Sequence, residues 1–213
     1  IFTGRDIKFG QVEVKCPAPC LGLSFRTNQP VVSEMKERMP ATISVALGGA
    51  FLYLLFGIPI GVAAAQRRGS VADKALVSTF LFLSSIPYYL FALLFYLYAT
   101  VINEIPLISD TGYNPITENP AKWASGLLLA WIALGIFGST SYTRYARGSM
   151  VEALNEDYIR TARAKGLPKR TVVYKHGLRA AMVPVVTIFG LDLGVLLSGT
   201  IFTERIFDIR GIG

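Results

Sequence analysis

The sequence predicts an all-α, polytopic helical membrane protein, and three observations carry that prediction. Hydrophobic residues make up 52% of the 213 positions and charged residues only 16%, against about 25% charged in an ordinary soluble domain. The mean hydropathy is +0.47, too apolar for a disordered chain to stay solvated. Four runs of 21 to 28 residues, 41–65, 75–102, 123–143 and 180–203, hold a single charge between them, Asp192. A bilayer core about 30 Å thick takes roughly 20 residues of helix, so each run is one expected span. Long buried helices of a soluble protein would show polar faces, and these runs have almost none.

Taken in order, residues 1–40 are expected to form a segment outside the membrane. They begin with polar material of no clear period. Val31, Val32, Met35 and Met39 then make a helical stripe beside Glu34, Lys36, Glu37 and Arg38. That pattern predicts an amphipathic helix lying at the interface. The chain opens at Ile1 without a signal-peptide pattern, which leaves a processed start or a fragment as the expectation. In the first span, Gly48, Gly49, Gly57 and Gly61 would let another helix approach closely, and Pro59 would bend it. The second carries Ser84, Ser85 and Pro87 near its middle, then Tyr88 and Tyr89. A mid-span proline frees backbone carbonyls. This reads either as a cavity wall, with Ser84, Ser85, Tyr88 and Asp192 as candidate lining of a substrate path, or as a packing kink. Residues 103–122 hold three prolines and several turn formers and read as an irregular loop. Trp123, Tyr142 and Tyr145 fall at span ends, where amphipathic rings are common.

Orientation follows from the basic residues of the short connections. Residues 66–74 and 144–179 carry twelve Lys and Arg; residues 103–122 and the stretch after the last span carry three. The first pair is therefore expected on the cytoplasmic side, with 1–40, 103–122 and 203–213 outside. The six basic residues of 1–40 run against that count, but a long terminal segment weighs little in it.

Residues 144–179 form the most informative segment. Met150, Leu154, Tyr158 and Ala162 fall on one helical face. Ser149 and Glu152 would make a capping box if a new helix starts there; otherwise the third span continues. Gly166 is the expected helix stop, and Pro168 fits the first turn of a short second helix running to about His176. Nine basic residues face three acidic ones here. Both ends are tethered to spans, which favours anionic headgroups and a protein partner over nucleic acid.

The stretch DYIRTARAKGLPKRTVVYKHGLRAAMVP resembles the cytoplasmic signature of permease subunits of dipeptide/oligopeptide ABC importers. The match runs over Glu156, Asp157, Tyr158, Arg160 to Leu167, His176, Leu178, Arg179, Ala181 and Pro184, with Ala180 where asparagine is usual. The resemblance extends to QPVVSEMKERMPATISVALGG, GVAAAQRRGSVADK and GTIFTERIFDIRGIG. It implies a transmembrane domain over 41–213, six spans in the family, and thus two outside this sequence. It also implies a coupling helix-turn-helix at 144–179, with Arg160, Thr161, Ala162, Arg163, Ala164, Lys165, Gly166 and Leu167 contacting an ATPase. The implied partners are a second permease subunit as heterodimer, two ABC ATPase subunits that bind ATP and Mg, and an extracytoplasmic substrate-binding protein. The implied place is the bacterial inner membrane. No G-x-x-x-x-G-K-[ST] occurs in the chain, so energy must come from a partner. Small residues at 162, 164 and 166 would allow close approach, and the Arg and Lys would supply charge-assisted contacts.

Asp192 could attract the amino terminus of a peptide, carry protons, or pair with another helix. Glutamine is the family expectation there, so no role carries over. His176 is the only histidine, so no His-based metal site or catalytic triad is expected, and the chain reads as a non-enzyme. Cys16 and Cys20 favour a disulfide over a metal pair. Glu204, Phe207, Gly211 and Gly213 match the family's E-x-x-F-x-x-x-G-x-G and read as a structural turn. Three functions compete: a peptide importer, the same machinery carrying nickel or another small solute, and an ion-coupled secondary transporter using Asp192. A membrane enzyme lacks a convergent acid, base or metal set.

Overall fold

The computed structural model describes residues 5–9, 12–16, 18–24, 27–102, 112–198 and 200–213. The fold is helical, preceded by a short antiparallel hairpin of β1 (Arg5–Phe9) and β2 (Val12–Cys16) with Phe9 opposite Val12. The alternation of Ile7, Phe9, Val12 and Val14 with Asp6, Lys8, Glu13 and Lys15 is a strand period that the opening residues do carry. Cys16 and Cys20 form a disulfide with their Cα atoms 5.4 Å apart.

The first apolar run lies inside a longer helix, α1 (Val31–Gln66), which passes through Pro40 and Pro59. The stripe expected as a separate interfacial helix is therefore the opening of α1. Pro40 leaves the Lys36 carbonyl without its helical donor, but both residues sit on an exposed face, where water can supply one. The second run does not form a straight span. It divides into α2 (Val71–Ser85) and α3 (Tyr88–Leu97), bent by 94°. Ile86 is extended, at φ −82° and ψ 129°, as the residue before a proline prefers. A wider π-type turn, Tyr98–Ile102, follows α3. Of the expected loop 103–122, residues 103–111 lie outside the described residues.

The third run is part of α4 (Pro120–Asn155), capped by the Asn119 side chain, which accepts from the Ala121 and Lys122 N–H groups. There is no new start at Ser149. The helix stops at Glu156, which is extended, and α5 (Asp157–Ala164) begins. That break resets the helical phase, so the expected face is corrected: Met150 and Ala162 are buried, but Tyr158 is exposed and Ile159 takes its place inside. The chain then re-enters helix through a π-type stretch, Thr171–Gly177, continuous with α6 (Leu178–Ser198). The second helix thus does not end near His176. A short α7 (Ile201–Ile206) follows.

Helices α1 and α4 form the centre and run parallel. A Cβ on Gly48 would lie 2.2 Å from the Trp131 ring, and one on Gly61 would lie 2.6 Å from the Thr143 carbonyl oxygen. Gly48 thus makes room for the Trp131 ring, and Gly61 brings backbone against backbone, as small residues do in lipid. Polar links reinforce the seam: Trp131 Nε1 donates to the Ser44 carbonyl at 2.9 Å, and Thr143 Oγ1 to the Gly57 carbonyl at 3.1 Å. Helix α6 packs antiparallel on this pair, Val173 and Ala181 near Met150 and Val185 near Tyr142 and Ala146.

Candidate functional site

Three places gather the residues singled out by sequence. The first is a ledge at the end of the molecule where α1 and α4 finish. Helix α5 is anchored by Ile159 and Ala162, which bury against Val172. Its end is closed by two backbone bonds, Gly166 N–H to the Arg163 carbonyl at 2.9 Å and Leu167 N–H to the Ala162 carbonyl at 3.3 Å. This is a Schellman closure, and it requires Gly166 to sit at φ +74°, where a Cβ is costly. Arg160, Thr161, Arg163, Ala164, Lys165, Gly166 and Leu167 are exposed. Ala162 is not; its small size serves packing within the chain, which corrects its expected place on a contact surface. Thr161 Oγ1 is turned back on the Asp157 carbonyl at 3.0 Å, and Arg160 pairs with Asp157 at 3.2 Å. That pair is open to solvent on both sides and contributes little. Arg68, Arg163 and Lys169 surround a cavity of about 540 Å³ between the ledge and the ends of α1 and α4, floored by Val151 and Leu154.

Beside the ledge, the turn between α1 and α2 is fixed by a residue that the sequence reading missed. Asp73 accepts from Arg147 Nε at 2.6 Å and Nη2 at 2.7 Å, and from the Gly69 N–H at 2.9 Å. Its carboxyl is pulled down to about 2, first by the Arg147 hydrogen bonds and then by the Gly69 N–H, against the opposing effect of burial. Ser70 caps α2 by accepting from the Asp73 N–H at 3.2 Å. The spacing Ser70-x-x-Asp73 was a legible helix-start signal.

The second place is an apolar cavity of about 390 Å³ bounded by α1, α3, α4, α6 and α7. Tyr88 and Asp192 both line it, as do Tyr53 and Tyr142. Tyr142 OH donates to Asp192 Oδ2 at 2.7 Å, and its ring stacks on Tyr53 with centroids 4.6 Å apart. Tyr142 is thus buried in the interior and does not serve as a span-end anchor. Tyr88 OH and Thr203 Oγ1 lie 2.7 Å apart. Ser84 and Ser85 do not join the lining. Their hydroxyls donate back to the Phe80 and Leu81 carbonyls at 2.7 and 2.9 Å, as serines in apolar helices often do, and Ser84 also reaches Thr140.

The third is a polar knot at the opposite end from the ledge. Glu204, buried at 2% exposure, accepts from Thr42 Oγ1 at 2.6 Å, Thr200 Oγ1 at 3.2 Å and the Gly213 N–H at 2.8 Å. Thr42 Oγ1 accepts in turn from the Ile212 N–H. A Cβ on Gly211 would fall 2.2 Å from the Glu204 carboxyl carbon. The spaced Glu, Phe and Gly residues therefore describe one closed turn held on α1.

Among the described residues, three helices, or four if the bent α2–α3 pair is one span, are long and apolar enough to cross a membrane, and they are ordered around the parallel α1–α4 pair. Residues 57–213 match the family described as the binding-protein-dependent transport system inner membrane component. The chain belongs to that family. Residues 1–46 match the N-terminal region of such membrane components. The chain is 35% identical over 216 aligned positions to the dipeptide transport system permease protein DppB of Escherichia coli, covering 91% of this chain and 63% of that protein. It is 38% identical over 213 positions to DppB of Haemophilus influenzae, covering 90% and 63%. A putative peptide transport system permease protein of Brucella abortus is 36% identical over 195 positions, covering 91% and 61%. The chain spans about three-fifths of the length of these relatives. The family read from residues 156–184 is the one that matches, and this inner membrane component is a multi-pass membrane protein.

Proposed function

We propose that the chain is the membrane-spanning permease subunit of an ATP-driven ABC importer for di- or oligopeptides. The observation that carries this reading is the likeness, over nine-tenths of the chain, to proteins named as dipeptide and peptide permeases. The partners are a second permease subunit, two ATPase subunits that supply the ATP and Mg²⁺ chemistry, and an extracytoplasmic binding protein. The ledge faces the cytoplasm, as the twelve-to-three distribution of basic residues favours. There Arg160, Arg163 and Lys165 offer charge-assisted contacts to an ATPase, and the Schellman closure at Gly166 holds α5 rigid enough to transmit its motion. The cavity lined by Tyr88 and Asp192 forms one wall of the cargo path, completed by the second permease.

The test is uptake by the complex reconstituted with its partners in proteoliposomes. Dipeptide uptake is expected to require ATP inside, and Arg163→Glu to cut coupled uptake at least tenfold with normal assembly. Uptake driven by a proton gradient without ATP would overturn the reading. ATP-driven uptake of nickel with no peptide uptake would keep the machinery and replace the cargo.

A further inference from the structure

We propose that the cavity between α1, α4, α6 and α7 binds a cationic amine, and that the Asp192 carboxylate is its counter-ion. This rests on the peptide reading, in which the amine is the cargo's free amino terminus. Asp192 is the one acid within the apolar runs, and no Lys, Arg or His lines its cavity. A carboxylate at this depth is costly unless a partner balances it. Tyr142 supplies one hydrogen bond, to Oδ2. Among the described residues Asp192 has no ion pair and no second donor, so Oδ1 stays uncommitted.

The surroundings suit an ammonium group. The stacked Tyr53 and Tyr142 rings and the Phe137 ring line the same cavity as the carboxylate, and aromatic rings attract cations. About 390 Å³ lies in the range of small-molecule sites. Val195 and Phe202, both exposed, line the same cavity, so it opens on the side where another subunit would close it.

A purely structural role predicts something different. If Asp192 served only to accept from Tyr142, asparagine would accept equally well through its side-chain oxygen. Uptake of Ala-Ala by the reconstituted complex separates the two. Asp192→Asn is expected to lower kcat/KM about tenfold or more, Asp192→Glu to recover most of it, and both variants to assemble normally. Unchanged kcat/KM in Asp192→Asn would overturn the amine site. Equal loss in both variants would also overturn it, because shape and not charge would then be what matters. Absence of any ATP-driven Ala-Ala uptake by the unaltered complex would instead overturn the peptide reading itself.

Discussion

Helices α1 and α6 are equally apolar in their spanning stretches, with a mean hydropathy of 2.1 each, yet they are used in opposite ways. In the most apolar window of α4, 50% of residues are buried within the chain, and in that of α1, 44%; in the corresponding window around α6 the share is 11%. The α1–α4 seam is lined by glycines and crossed by hydrogen bonds from Trp131 and Thr143. Helix α6 turns Val183, Val186, Leu191 and Val195 outward. Hydropathy registers the solvent a helix tolerates; the placement of small and polar residues registers which helix it touches. The stability of the subunit should therefore reside in the seam, and α6 should be tolerant.

The largest effect is expected at Gly61. A Cβ there would meet the Thr143 carbonyl oxygen at 2.6 Å, Ala146 Cβ at 2.8 Å and the Arg147 nitrogen at 3.0 Å. Two of these are backbone atoms and cannot move aside alone. Gly61→Val must push the helices apart, with an expected loss of about 3 kcal/mol or more. Thermal unfolding of the purified subunit in detergent would measure it. An unfolding midpoint equal to that of the unaltered chain would remove the distinction between seam and flank.

A smaller effect is expected at Asp73, which ties the turn after α1 to α4 through Arg147. Its carboxyl is held below the ordinary 3.8, at about 2. The ion pair therefore adds stability that is fully present above about pH 4 and is lost as the pH falls through about 2. Asp73→Asn removes this contribution at neutral pH, at an expected cost of about 1–3 kcal/mol with Arg147 left unpaired. It should also flatten the stability profile between about pH 4 and pH 2. A variant whose acid profile keeps the unaltered slope would show that other carboxyls set it.

Much of this was legible because hydropathy accumulates over many residues. The four apolar runs became helices for that reason, and Gly166 took its left-handed place because few other residues do so cheaply. What was not legible depended on contacts or on single residues. Pro87 announced a kink, but whether it bends a span slightly or folds it by 94° depends on what α3 packs against, and Phe91 and Tyr88 pack on Phe137 of α4. Tyr158 lost its buried position to Ile159 because Glu156 leaves the helix, a one-residue event that periodicity averages over. Tyr142 looked like a span-end ring because its partners, Tyr53 and Asp192, are 89 and 50 residues away in sequence. The charge of Asp192 stood out at once; the cavity that gives it a use did not.

The smallest effect, and the sharpest check on the comparison, is expected on α6. Val186 is 58% exposed in the isolated subunit. Alanine there removes two methyl groups that touch little of the chain, so no internal cavity is left behind. Alanine is also the better helix former. Val186→Ala should therefore shift stability by no more than about 0.5 kcal/mol, within a protein that loses several times that at Gly61. Both measurements use the same detergent, so differences in the apolar environment cancel. A loss at Val186 comparable with that of Gly61→Val would mean that α6 is held as firmly as the seam and that its outward face is already packed. An unchanged midpoint would leave that face as surface for lipid or a neighbouring subunit to cover.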